Sequence, residues 1–267
     1  MLRSVAGKTL FEQRRAIVWW SLGTIAMVFT IVAYYPAVRD DPSLTDFMEN
    51  LPPAAQALSG GVNIDFSSPD GWLNGQLFAN IVPLIFIIYG VILGAGAIGR
   101  EEDRGTAELL LTTPISRGRV VIEKAVAALA LIAALGVVLV VSLLLGTEAF
   151  DMDVSFSGIL AASIQTVLLG TTFGTLALAI SAWLGPRAHA AAISGSVAFA
   201  GFMLYSLAPV VDSLHGWQKL SAFYWYQGSD PIGSGFDMGH LAVLLAATAA
   251  LTAASVWLFD RRDVYVA

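Results

Sequence analysis

The chain contains no cysteine, which removes disulfides, thiolate nucleophiles and thiolate metal sites together. Charge is scarce as well. Asp, Glu, Lys and Arg make up 13% of 267 residues, against 57% hydrophobic residues and a mean hydropathy of +0.73. A water-soluble domain needs more polar surface than that composition supplies. Basic residues are the scarcer sign, 14 Lys and Arg against 20 Asp and Glu for a net charge of −6. No basic field draws a phosphate backbone, so nucleic acid is not an expected partner. Alternating apolar and polar patterning is also missing, which argues against a β-barrel.

What is present is a set of long runs free of Asp, Glu, Lys and Arg: 16–38, 71–99, 125–147, 154–186, 188–211 and 238–259. Crossing roughly 30 Å of hydrocarbon takes about 20 apolar residues as helix. The next longest run, 50–64, has 15 residues and holds Pro52, Pro53, Gly60 and Gly61, too short and too broken to cross. The expected fold is therefore all-α: one polytopic membrane domain over 1–267 with crossings near 16–36, 78–98, 125–146, 158–184, 189–211 and 239–259. The first run is too long for a cleavable signal peptide, and no small-residue cleavage site follows Tyr34, Tyr35 and Pro36.

Because the central parts of these runs hold no Asp, Glu, Lys or Arg, with His189 at the inner edge of the fifth the nearby histidine, proton- or sodium-driven carriers and voltage sensors are disfavoured. Such proteins keep charges in the bilayer despite a cost of at least about 2.5–3.5 kcal/mol each. Intramembrane hydrolases, which need carboxylates, His pairs or metals at depth, fit no better. An ion channel lacks a charged ring or recognisable filter. Gly7-Lys8-Thr9 has only the tail of a phosphate-binding loop: the first glycine would fall at Leu2, and no strand precedes it. No serine nucleophile motif appears. No catalytic residue, cofactor or metal is therefore expected in this chain. Asp212 with His215, and Asp237 with His240, have spacings that could hold zinc if folded together, but read more simply as polar loop residues.

Orientation follows from Lys and Arg in the connections. With the N-terminus inside, the inner segments carry Arg3, Lys8, Arg14, Arg15, Arg100, Arg104, Arg117, Arg119, Lys124, Arg187, Arg261 and Arg262, and the outer ones only Arg39 and Lys219. Both termini are placed in the cytoplasm of a plasma-membrane protein. Residues 2–13, with Leu2, Val5, Ala6 and Leu10 opposite Arg3 and Lys8, predict an interfacial helix that turns into the first crossing. In the acidic outer segment 39–77, Leu44, Phe47, Met48 and Leu51 share one helical face, and a second short helix is expected from Asp70 with Trp72, Leu73 and Leu77 together. Trp19, Trp20, Tyr34, Tyr35 and the run Phe223–Tyr226 read as interface anchors. Gly90 with Gly94, and Gly170 with Gly174, let helices approach closely, within one subunit or between two. Asn80, Gln165, Thr166, Thr171, Thr172, Thr175, Ser194 and Ser196 are the notable polar groups within the runs. Interhelical hydrogen bonding is their ordinary role, and Asn80, Gln165, Thr166 and Thr172 are the candidates for a substrate pathway.

The segment 100–124 joins the second and third crossings. Thr106 after Gly105 can cap a short helix with Glu108 in its first turn, Leu109, Leu110 and Leu111 form an apolar knob, and Pro114 after Thr113 suits the start of another helix. Glu101-x-x-x-Gly105-Thr106-x-Glu108-Leu109-Leu110, then Pro114-Ile115-Ser116-Arg117 and Lys124, resembles the signature of ABC-2 type permeases, the membrane subunits of ABC transporters. The six-run layout, Arg14 and Arg15 in the N-terminal helix, the long loop after Tyr34-Tyr35-Pro36 and the closing Phe259-Asp260-Arg261-Arg262-Asp263 extend the likeness over nearly the whole chain.

That resemblance implies a cytoplasmic coupling helix that docks on a separate ATPase subunit, which itself binds ATP and Mg. Carried over residue by residue, Glu101, Gly105, Thr106, Glu108, Leu109, Leu110, Pro114 and Arg117, with Glu102 beside them, would contact or orient that partner. It also implies a second permease copy or a homologous one, a setting in membrane lipid, and export of a hydrophobic or amphiphilic compound such as a drug, antibiotic or lipid-like molecule. The alternative from a different class is a membrane scaffold that recruits a soluble partner through the same loop and transports nothing.

Overall fold

The computed structural model describes residues 4–39, 43, 46–47, 50–60, 64–103 and 116–262, with the side chains of 101–103 excepted. Among the described residues six helical stretches are long and apolar enough to cross a bilayer, and each contains one of the charge-free runs or most of it. The first, α1, runs Val5–Val38 without interruption. Ser4 opens it by accepting a hydrogen bond from the Gly7 N–H at 3.1 Å. A separate interfacial helix over 2–13 is thus not what the described residues form. Glu12, Gln13, Arg14, Arg15 and Ala16 are good helix formers and offer no point at which to turn. At 34 residues α1 is about 51 Å long, well beyond the hydrocarbon thickness.

The second crossing also starts earlier than its apolar run suggests. Ser68 caps a single turn, α3 (Pro69–Trp72), following the short α2 (Pro53–Leu58). The turn passes into a π-helical segment, Leu73–Ile81, and then α4 (Val82–Asp103). The short helix expected at Asp70 is therefore the beginning of the crossing itself. Pro83 explains the wide turns: it has no N–H to give the carbonyl four residues back and its ring crowds that carbonyl, so the helix upstream loosens. Of the helical face expected around Leu44, Phe47 is helical and exposed, whereas Leu44 and Met48 lie outside the described residues.

α5 (Arg117–Ala149) and α6 (Phe156–Leu184) follow. Gly185 at φ +93, a backbone conformation glycine adopts cheaply, turns the chain directly into α7 (Arg187–Leu207). That helix ends four residues before the expected 211. The chain then forms a strap of α8 (Asp212–His215), a 3-10 turn (Gln218–Leu220), α9 (Ala222–Gln227) and α10 (Pro231–Ser234) before α11 (Met238–Arg261).

Helix α6 is the centre of the bundle, packed by α4, α5, α7, α9, α10 and α11, while α1 lies on α5 and the π segment. Its tightest neighbour is α4. A methyl group at Gly90 would overlap the Gly170 carbonyl and one at Gly94 the Gly174 carbonyl, so the two glycine pairs are one crossing within this chain. Three apolar clusters surround it. Val28, Val32, Leu77, Phe86, Leu135 and Leu139 bind α1, the π segment, α4 and α5; Phe173, Phe223 and Tyr226 bind α6 to the strap; Val121, Leu178 and Phe259 join α5, α6 and α11. Trp19, Tyr34, Val137, Trp183 and Phe199 face outward, as in a protein whose solvent is lipid. Tyr35, Phe223 and Tyr226 are instead buried, which corrects their assignment as plain interface anchors.

Substituting Gly94→Leu should prevent the α4–α6 crossing from closing, at a cost of several kcal/mol on the scale of about 1–3 kcal/mol per overpacked site and more where backbone must move. Gly195→Ala, at a position with nothing within 4 Å, should stabilise by about 0.5–1 kcal/mol. Thermal unfolding followed by fluorescence-detected size exclusion distinguishes the two, and equal effects would count against the crossing.

Candidate functional site

The described parts of α4, α5, α6, α11 and α1 are tied together at the end from which segment 104–115 departs. Most of these ties run from a side chain on one helix to backbone groups of another, and those to Val5 and Ala6 satisfy N–H groups that a helix start leaves open. The Glu123 carboxylate on α5 accepts hydrogen bonds from the N–H groups of Val5 at 2.7 Å and Ala6 at 3.3 Å, capping α1 across 118 residues of sequence. Arg119 holds the same carboxylate at 3.0 Å. Lys124 is buried and donates to the Ala97 carbonyl of α4. Arg117 donates to the Arg262 carbonyl at 2.7 Å, and the Arg262 guanidinium donates to the Ser181 carbonyl at 3.3 Å. Ser181, itself fully buried, accepts from the Gly99 N–H at 3.2 Å and donates to the Ala95 carbonyl at 3.2 Å. A small cavity of about 50 Å³ sits inside this clamp, lined by Lys8, Glu12, Gln13, Arg100 and Lys124 among others.

Of the residues assigned to partner docking, Arg117 is the one whose side chain is described, and it is the first residue of α5, behind Ser116 in extended backbone. Glu101 and Glu102 belong to the last turn of α4 by backbone alone. Gly105, Thr106, Glu108, Leu109, Leu110 and Pro114 lie outside the described residues.

The opposite end is closed by the strap. Val82 donates its N–H to the Leu77 carbonyl, and Pro83 has no N–H, so neither residue serves the carbonyl of Phe78. The hydroxyl of Tyr226, fully buried in the strap, donates to it at 2.8 Å. Thr166 lies 3.3 Å from that hydroxyl. Nearby the Gln227 amide donates to Asn74 at 2.5 Å and Asn74 donates to Asp230 at 3.4 Å. The Asp237 carboxylate caps α11, accepting from the N–H groups of Gly239 at 2.8 Å and His240 at 3.0 Å, and the His240 bond holds its pKa below the ordinary carboxylate value. His240 meets the Trp225 carbonyl at 3.2 Å and His215 the Ala208 carbonyl at 3.4 Å, so Asp237 and both histidines are engaged locally.

Between the strap, the π segment and the end of α7 lies a cavity of about 440 Å³. Asn80 lines it. The other pathway candidates lie inside the bundle. Thr166 donates to the Ala162 carbonyl at 2.8 Å, Thr172 meets Thr248 of α11 at 3.0 Å, and Gln165 is fully buried with no hydrogen-bond partner for either amide atom. Sequence reasoning missed the roles of Glu123 and Tyr226, and gave Lys124 no contact inside the bundle. Pro83 inside an apolar run is the available signal for Tyr226, because a missing donor calls for a replacement.

Tyr226→Phe removes that replacement and leaves the Phe78 carbonyl buried without a donor, which should cost about 1–3 kcal/mol. A lowered thermal midpoint with the oligomeric profile unchanged is the expected result. Thr252→Val, which loses only a bond back to its own helix at Thr248, should change the midpoint far less.

Comparison with known families matches residues 3–264 to one described as ABC-2 family transporter protein. None of the curated proteins matches the chain.

Proposed function

The chain belongs to the ABC-2 transporter family, a family of transport permeases, and from that premise we propose that it is the transmembrane subunit of an ATP-driven exporter. The segment 101–117 is the docking element for a separate ATPase subunit, which holds ATP and Mg and hydrolyses the nucleotide. The single observation that carries this reading is the clamp around that segment. Glu123, Lys124, Arg117 and Arg262 connect the start of α5 to α1, α4, α11 and α6, so a displacement applied to the segment is delivered to five of the six crossings together. The absence of Asp, Glu, Lys and Arg from the middle of the runs leaves ion coupling without a carrier and supports an external source of energy.

In this reading both termini and the 101–117 segment are cytoplasmic, and the strap and acidic loop face outward, following the distribution of Lys and Arg. Two permease chains, identical or homologous, enclose the route, since α6 is packed by α4, α5, α7 and α11 and so fills the middle of the bundle in a single chain. The exported compound is hydrophobic or amphiphilic. Asn80, on the cavity at the outward end, is the pathway residue the packing favours, whereas Thr166 and Thr172 are engaged between helices.

Glu101→Lys and Glu108→Lys, expressed with the partner ATPase, should each lower co-purification and transport-linked ATP hydrolysis at least about tenfold, a loss of about 1.4 kcal/mol or more in association. Insertion and thermal midpoint should stay near those of the parent chain. Unchanged association in both variants would exclude the segment as the docking element.

A further inference from the structure

The cavity between the strap and the second crossing has a chemistry that the transport role alone does not specify. Five of its polar side chains, Asn80, Tyr205, Ser206, Gln218 and Tyr224, line it without making a side-chain hydrogen bond to any described residue. Ser206 is 7% exposed, so its hydroxyl is enclosed by protein except on the cavity side. An enclosed hydroxyl or amide without a partner costs about 1–3 kcal/mol, so these groups, Ser206 buried and the other four partly buried, favour an occupant that bonds to them. The two remaining amides, Asn74 and Gln227, are spent on each other.

The lining is neutral. Among the described residues no Asp, Glu, Lys or Arg borders the cavity. An ionised head group would lose its water there and meet no counter-charge. The Asp230 carboxylate, 3.4 Å from Asn74, adds repulsion against anions. It is also occupied as the cap of α10, where it accepts from the Gly233 N–H. Tyr205, Tyr224 and Phe202 supply aromatic rings, and Ile64 and Pro209 an apolar margin. A volume of about 440 Å³ falls within the range of roughly 300–1,000 Å³ in which small-molecule sites are found.

We infer that this cavity binds the uncharged head group of an amphiphile, one rich in hydroxyl or amide groups and presenting a ring to the tyrosines. Hydroxyls and amides of the ligand pair with the five free side chains, each of which can donate and accept. A cationic or anionic head group of the same size is rejected. The inference rests on the permease reading for the amphiphilic nature of the solute, and binding itself needs neither nucleotide nor partner.

The test uses the missing thiol. Ser206→Cys places a unique cysteine on the cavity, Asn80→Cys does so on its other wall, and Ser157→Cys provides an exposed one at the start of α6. Each full-length variant, in phosphatidylcholine nanodiscs, is labelled with N-ethylmaleimide alone or with octyl β-D-glucoside, octylammonium or octyl sulfate below their micelle concentrations. The glucoside should slow labelling in the Ser206→Cys and Asn80→Cys variants about fivefold once it is about four times its Kd. The charged amphiphiles should leave the rate unchanged, and the Ser157→Cys rate should not respond to any of them. Adding Gln218→Leu should remove the protection. Equal slowing by all three probes, or none by the glucoside in either cavity variant, overturns the proposal, and equal protection by methyl β-D-glucoside overturns its amphiphile part. Protection without ATPase-driven transport would sink the permease reading and leave this site standing; transport without protection does the reverse.

Discussion

The approach of α4 to α6 at Gly90, Gly94, Gly170 and Gly174 is the constraint on which the rest of the arrangement depends. Lipid tails are as apolar as leucine, so helices in a bilayer gain little from hiding apolar surface against each other and must gain from close contact instead. Removing the side chains at four places brings two backbones into direct contact. Once α6 is fixed against α4 it has its remaining faces free, and α5, α7, α11 and the strap fill them. The outermost helices can then leave large apolar side chains such as Trp19 and Phe199 exposed without penalty.

Backbone polarity governs the two ends. Within hydrocarbon an unpaired N–H or C=O is expensive, and side chains are recruited where helices begin or widen and where one packs on another. Glu123 serves the start of α1, Tyr226 the carbonyl orphaned by Pro83, Ser181 the junction of α4 with α6, and the Trp72 indole donates to the Ile31 carbonyl at 3.0 Å. Most hydroxyls inside the crossings are spent more locally. Ser142, Thr147, Thr171 and Ser255 each donate to the carbonyl four residues back. Gln165 departs from this pattern, enclosed with neither amide atom paired, and nothing in the structure explains it.

The crossings are legible in the sequence because a charge is so costly in hydrocarbon that its absence over more than 20 residues has few other causes. Turns at helix ends are not legible to the same degree. The missing break near Gln13 cannot be told from an interfacial helix by composition, since the same Arg14 and Arg15 suit either geometry. Pro83 reads as part of an apolar run, although its lost donor widens the helix across nine residues. The glycine spacing implies a close approach but not which helices it joins, a matter of tertiary pairing. At the candidate site, Asn80 lies on a cavity, and its companions Ser206, Gln218 and Tyr224 come from segments far from it in sequence and share no motif with it. Glu123 is likewise hidden, because its partners are backbone groups 118 and 117 residues away.

Phe78 and Tyr226 are separated by 148 residues. A ribosome adding about 5–20 residues per second inserts the second crossing roughly 7–30 s before the tyrosine that completes it has been made. Throughout that interval the Phe78 carbonyl lacks its tyrosine donor and has water or the insertion machinery to bond instead, and this crossing reaches its final hydrogen bonding only after the strap has been made. Biogenesis of this protein is thus ordered by a single proline: the segment that carries it is finished only after three later crossings have been made.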